Sequence, residues 1–370
     1  MNYEEVMKLA LERGFYFPSC EVYSDANAGF WEYGPSGVGL KNKFLELWRR
    51  ELIRRDGMME IDGSQIMSKS VFEASGHLGN FADPIIKCTK CNSTFRADRT
   101  IAEIANIEIP ESADLNEFDN AISENKIKCP KCKGDFGTTK KFNMMFKVGI
   151  GPQEEEAYLR PETCQSIFVD FPRLFKTMRG KLPLGIAQVG KSFRNEIAPR
   201  QSLLRLREFY QAEIEVFCNP GRLDEVEKFA EIENTIIRVQ TDAEPISMTC
   251  KEALESGTVP NKFVAYYLGI LTEFYEKTGI DVSKSRFRKL GNKEKAFYEE
   301  VMKLALERGF YFPSCEVYSD ANAGFWEYGP SGVGLKNKFL ELWRRELIRR
   351  DGMMEIDGSQ IMSKSVFEAS

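Results

Sequence analysis

The sequence predicts an α+β protein, an antiparallel sheet flanked by helices with a cysteine-rich insertion, and three observations carry that expectation. From about 142 to 218, apolar and polar residues alternate with the two-residue period of strands. Before and after that region, apolar residues recur with helical spacing. Between residues 87 and 140 lie two Cys-x2-Cys pairs at the spacing of a four-cysteine metal ribbon. With 370 residues, 42% hydrophobic and 29% charged, the chain has the size and composition of a soluble globular protein with more than one core. A net charge of -5 confines any nucleic-acid contact to local basic patches. The apolar runs are too short to cross a bilayer. The amino-terminal stretch, acidic early on, reads as an amphipathic helix and not as a signal or transit peptide. Nine cysteines, four of them in the CxxC pairs, fit a reducing compartment, which implies a cytosolic setting.

Taken in order, the first helix runs from about Tyr3 to Arg13 and stops at Gly14. A glycine- and aromatic-rich segment, GFWEYGPSGVGL, leads to a second helix from about Leu40 to Arg54. Its stripe is Leu40, Phe44, Leu47, Trp48 and Leu52. MMEIDGSQIM reads as one strand. Residues 87–141 form the Lys- and Cys-rich insertion, in which Cys88, Cys91, Cys129 and Cys132 are expected to hold a structural zinc ion. With few apolar residues of its own, the insertion should depend on that metal. Residues 219–297 read as mostly helical and charged, ending in a basic run from Lys284 to Lys295. Finally, residues 3–75 recur without one change as 298–370, an offset of 295. Repeats drift apart with time, so a block this long and unaltered is either very recent or artificially joined.

The stretch FRNEIAPRQSLLRLREF, residues 193–209, concentrates Arg194, Arg200, Arg205 and Arg207. Alternation resolves it into a hairpin. Leu204, Leu206, Tyr210, Ala212, Ile214 and Val216 should face a core, and Arg205, Arg207, Phe209, Gln211 and Glu213 a cleft. On the preceding strand, Gln188, Arg194 and Glu196 share the polar face. Guanidinium forks suit phosphate oxygens, an aromatic ring can stack a base, and carboxylates suit an ammonium group. A nucleoside polyphosphate beside an amine would satisfy all three; a solvated, charged hairpin face is the plain alternative.

FRNE followed by a loop and REF resembles motif 2 of class II aminoacyl-tRNA synthetases. With YLRPETCQSIF at 158–168 and SGHLGNFADP at 75–84, residues 1–297 resemble the glycyl-tRNA synthetase family of archaeal and eukaryotic homodimeric type. The resemblance implies ATP and Mg²⁺ as participants, glycine and tRNA(Gly) as substrates, and a class II sheet. It implies Arg194 on the α-phosphate and Arg205 on the γ-phosphate as the catalytic groups. The wider ATP site would be Asn195, Glu196, Leu204, Leu206, Arg207, Glu208 and Phe209. Glycine would meet Arg96, Glu162, Phe209, Gln211 and Glu213. Cys164 and Ser166 depart from the small residues common in that element.

The resemblance divides the chain into 1–86, containing the dimer-building motif 1, the ribbon 87–141, the catalytic sheet 142–218, the helical insertion 219–297 and the copy 298–370. The family pattern continues past 297 with motif 3 and an anticodon-binding domain. The copy stands in their place, so the resemblance implies an ATP site open on one side and impaired activity. Assembly would be a homodimer through motif 1 or an intrachain pseudo-dimer using the copy. A non-catalytic ATP- or RNA-binding module is the alternative function, and another class II specificity a third. Met67-Ser68-Lys69-Ser70 imitates a class I signature, but no accompanying glycine pattern supports it. His77, the single histidine, reads as structural.

Overall fold

The computed structural model describes residues 3–287 except 111–112, 200–201 and 242–243, together with 311–313, 326–328, 333, 336–338, 340–341, 344, 356–357 and 360. Arg200 and residues 288–295 of the basic run lie outside the described residues.

Helix α1 (Tyr3–Glu12) ends where Gly14 adopts φ +63°, as expected of a glycine stop. Strands β1 (Tyr16–Pro18) and β2 (Trp31–Tyr33) pair antiparallel. Helix α2 (Pro35–Trp48) opens with proline at its first position and continues as a π-helical turn over Arg49–Arg54. Its apolar stripe is only half buried. Trp48 and Leu52 are enclosed, whereas Leu40 is 59% exposed and Phe44 meets Phe274 only edge-on. Of the expected five-residue stripe only the carboxyl-terminal part is enclosed, while the amino-terminal turn is buried through Gly37 and Val38 instead.

The expected single strand at 58–67 is two strands in different sheets, β3 (Met59–Ile61) and β4 (Ile66–Ser68). The chain turns between them at Gly63, where a Cβ would stand 2.4 Å from the Cβ of Ser166. Helices α3 (Lys69–Ala74) and α4 (His77–Asn80) then lead to β5 (Ala82–Lys87), which pairs with β6 (Thr94–Arg96) and β7 (Lys140–Asn143). Between β6 and β7, α5 (Ala97–Ala105) and α6 (Leu115–Glu124) close a local core of Ile86, Ile101, Phe118, Ala121 and Ile127. The insertion therefore has an apolar core of its own. Apolar residues from the two short helices, the strands and the connecting loops converge on it, which composition alone understates.

Strands β8 (Phe146–Ile150) and β9 (Glu155–Leu159) join β4 in an antiparallel sheet, followed by helix α7 (Cys164–Thr177). The ten-residue strands β10 (Leu184–Phe193) and β11 (Glu208–Phe217) form the predicted hairpin. On the far side of β10 lies β3, which runs parallel to it, so that sheet is mixed. Residues 219–287 are not all helical. Strands β12 (Ile236–Gln240) and β13 (Pro245–Thr249) pair before α8 (Cys250–Glu255) and α9 (Lys262–Lys277). Alternation of Ile237 and Val239, both buried against α9, was hidden among charges. In the second copy, β14 (Tyr311–Pro313) and β15 (Trp326–Tyr328) repeat the register of β1 and β2. Among the described residues, no helix is long and apolar enough to cross a membrane.

Candidate active site

The site begins with the register of β10 and β11. Gln188 lies opposite Glu213, Gly190 opposite Gln211, and Ser192 opposite Phe209, so these side chains share one face of the hairpin. Beneath that face lies Arg160, fully buried in the loop after β9. Its guanidinium donates to the backbone carbonyls of Lys191 and Gly63, each at 2.9 Å. Its own N–H donates to Gln65 and its carbonyl accepts from Phe193. Arg160 thus ties the two sheets together, and Gly190 leaves room for it: a Cβ there would stand 2.1 Å from its Nη2.

Arg194, just past β10, has its guanidinium over the rings of Phe81 and Phe209, 5.5 and 5.3 Å from their centroids. Its Nε donates to the Pro161 carbonyl at 3.1 Å. Arg205 pairs with Glu196 at 2.9 Å. Arg207 donates to the carbonyls of Glu196 and Ala28, which fastens the hairpin loop to the segment before β2. A cavity of about 540 Å³ opens beside Arg205, between Pro199 and the 18–31 segment.

Acidic groups gather at the other end of the face. Glu162 accepts from His77 Nε2 at 3.2 Å, from Gln165 at 2.7 Å and from the Cys164 thiol at 3.0 Å. The hydrogen bond from His77 is the leading reason its carboxyl is held down to about 2, against the opposing effect of burial. Glu213 accepts from the backbone N–H of Thr163 at 2.8 Å and from its hydroxyl, with Gln211 close by. Glu215 is pushed up to about 7, first by burial and then by the negative charges of Glu213 and Glu162. Burial raises the Cys164 thiol, with Glu162 adding to the effect, so it is protonated and donates. Ser166 is fully buried beneath Gly63, and its extra bulk is absorbed there.

The structure therefore brings Arg194, Phe209, Glu162, Gln211 and Glu213 to one face, with Glu196, Arg205 and Arg207 at its loop end. Other expected site residues sit differently. Leu204 is 67% exposed in a short 3-10 turn and faces no core, because the strand begins only at Glu208. Ala212 is exposed too. The Glu208 side chain points to the reverse face of the hairpin, where it pairs with buried Lys191 at 2.6 Å. Its parity with Tyr210 signals this. Leu206 borders a small hollow with Tyr33 and Tyr210. Asn195 is anchored by its N–H to the Met144 carbonyl. Arg96 is engaged by Asp83 and Asp98 in the neighbouring β5–β6–β7 unit. Sequence reasoning missed Thr163, His77, Glu215 and Arg160 as members of the site. Only Glu215 carried a signal, its place two residues beyond Glu213.

Distinct from this face, Cys88, Cys91, Cys129 and Cys132 bring their sulfurs within 4.8 Å of one another. The Cys88–Cys132 and Cys91–Cys129 separations are 3.5 and 3.7 Å. Tetrahedral coordination with metal–sulfur bonds of about 2.3 Å needs sulfurs about 3.8 Å apart, so the four could hold a metal ion.

Residues 146–244, which contain the hairpin and its acidic neighbours, match the family described as the tRNA synthetase class II core domain (G, H, P, S and T). Over that segment the chain is similar to the class II tRNA synthetase core. A glycine–tRNA ligase of Methanocaldococcus jannaschii is 42% identical over 308 residues, covering 80% of this chain and 53% of its own. One from Pyrococcus abyssi is 42% identical over 304 residues, covering 80% and 52%. A solved structure titled the RNA binding domain of threonyl-tRNA synthetase from Cryptosporidium parvum aligns with 76% of this chain and 53% of its own. Its 18% identity and TM-score of 0.37 carry no argument. The chain is thus similar to glycine–tRNA ligases over 80% of its own length and spans about half the length of the curated relatives it matches.

Proposed function

We propose that this core binds ATP and glycine, forms glycyl-adenylate and pyrophosphate, and passes the glycyl group to tRNA(Gly), with activity impaired because the copy stands where motif 3 would follow. One observation carries the reading: an arginine placed over two aromatic rings and bonded to a backbone carbonyl, on the hairpin face where Glu213 and Glu215 cluster with Glu162 of the neighbouring loop. A glycine carboxylate oxygen attacks the α-phosphorus of ATP, the bond to the β-phosphate oxygen breaks, and pyrophosphate leaves. A hydroxyl of the terminal tRNA adenosine then attacks the glycyl carbonyl, and AMP leaves.

Arg194, its Nε taken by Pro161, directs its terminal nitrogens at the α-phosphate, where negative charge builds in the transition state. Arg205 reaches the γ-phosphate by exchanging its Glu196 partner for the nucleotide. Phe209 stacks the adenine, and Asn195, Leu204, Leu206, Arg207 and the Glu208 backbone frame it. ATP enters as its magnesium complex, the metal carried by the phosphates. Glu162 and Glu213 receive the glycine ammonium, with Gln211 beside them, and Arg96 approaches from the β5–β6–β7 unit. Selection for glycine is by exclusion of a β-carbon. The four-cysteine site holds structural zinc, whose donor set of four thiolates leaves no open position for catalysis.

Glycine-dependent exchange of labelled pyrophosphate into ATP tests this. Exchange should require glycine, fail with alanine, and fall by about 100-fold in Arg194→Ala. Exchange equally supported by alanine overturns the specificity. ATP binding with no exchange replaces the ligase by a binding module.

A further inference from the structure

The two copies of the repeated block meet through residues that are each other's equivalents. With an offset of 295, Asp357 is the counterpart of Asp62, and Lys336 the counterpart of Lys41. Lys41 of the first copy donates to the Asp357 carboxylate of the second, and Lys336 of the second donates to Asp62 of the first. Contacts in which i meets j and j meets i define an isologous interface about a two-fold axis. An incidental collision between two blocks has no reason to make the same ion pair twice.

The surroundings of Asp357 carry the contact further. Its backbone pairs antiparallel with Tyr33, N–H to carbonyl in both directions at 3.2 Å. Its carboxylate accepts from the Tyr210 hydroxyl at 2.7 Å and lies 3.8 Å from Lys191. Burial alone would raise that carboxyl, yet the hydrogen bonds from Lys41 and Tyr210 hold it below its ordinary value. The Gln360 N–H donates to both oxygens of Glu208, at 2.9 and 3.1 Å. Lys191, Glu208 and Tyr210 belong to the reverse face of the β10–β11 hairpin, so the second copy covers that face directly behind the candidate site. Such contacts are polar and directional, and part-buried pairs of this kind fix orientation more than they add stability.

The equivalence stops where the copy lacks its neighbours. Val333 is buried as its counterpart Val38 is, but Ile356 is 61% exposed where Ile61 is 1% exposed. Ile61 is covered because β3 lies beside β10, and the repeated block does not include a second β10.

We propose that the first block presents a self-complementary face whose occupant is a second copy of the same block, and that residues 298–370 fill it within the chain. The chain is then its own partner at this face, with Asp357 and Gln360 as positioning residues behind the hairpin. This is independent of the substrate that the site takes.

Two cysteine pairs test it in the full chain, Lys41→Cys with Asp357→Cys and Asp62→Cys with Lys336→Cys, oxidised at high dilution beside the parent. Each pair should give a disulfide-linked peptide in a species of one chain's mass, at a yield independent of protein concentration. A disulfide joining two chains assigns the occupant to another molecule and overturns the proposal. So does absence of both links in protein whose circular dichroism matches the parent. If a cysteine variant fails to fold, charge reversal reads the same contact through protease release of the second block. Asp62→Lys should speed release about tenfold, and Lys336→Glu in the same chain should restore the parent rate. Release unchanged by Asp62→Lys overturns the proposal.

Discussion

At the residue scale, the acidic end of the hairpin face holds two carboxylates in opposite conditions. Glu162, hydrogen-bonded by His77, is ionised down to about 2, while Glu215, buried near two other carboxylates, ionises only at about 7. The signs differ accordingly. Glu162 is depressed in the folded state, so its contribution to stability is present above the ordinary carboxylate range and is lost as pH falls from there towards 2. Glu215 is raised, so the folded state is favoured while it stays protonated, and that advantage disappears as pH rises through 7. Glu215→Gln should therefore raise the thermal midpoint at pH 8 and leave it nearly unchanged at pH 4. A midpoint that falls equally at both would show that the carboxylate is needed for packing and not penalised by charge. Arg194→Lys should recover little of the exchange activity lost in Arg194→Ala. An ammonium lacks the planar fork with which the guanidinium meets two rings while donating to a carbonyl.

At the element scale, the joint between the sheets rests on Arg160 under Gly190. Gly190→Ala drives a methyl group against a guanidinium fixed by two carbonyls, so it should cost about 2–3 kcal/mol in denaturant unfolding. A neutral result would mean that Arg160 has somewhere else to go. The ribbon makes a separate prediction. Purified protein should contain about one zinc per chain by elemental analysis, and Cys91→Ala with Cys132→Ala should remove it. The core around Ile101 and Phe118 should keep α5 and α6 partly formed even then, visible as residual amide protection.

At the scale of the whole molecule, the hairpin, its cleft face and the sulfur cluster were legible in the sequence, because each depends on local spacing. Phe209 and Glu213 share a face by alternation along β11, and Arg194, one residue past β10, continues the parity of Gln188 and Gly190. His77 and Thr163 were not legible as site members: His77 lies far from Glu162 along the chain, and Thr163 acts partly through its backbone N–H. The split of residues 58–67 into two sheets was hidden for a similar reason, since Gly63 turns the chain to make room for a side chain over a hundred residues away. Leu204 shows the limit of parity itself. Alternation assigns faces only where the backbone is extended, and there it is coiled in a 3-10 turn.

The exposure of Ile356 separates two kinds of constraint that coincide at Ile61. In a library of random substitutions, position 356 should accept polar side chains freely, while position 61 should reject them. Positions 41, 62, 336 and 357 should be restricted alike. The second block would then retain the outline of its docking edge while its unused interior positions lose their identity, one sequence governed by two different sets of neighbours.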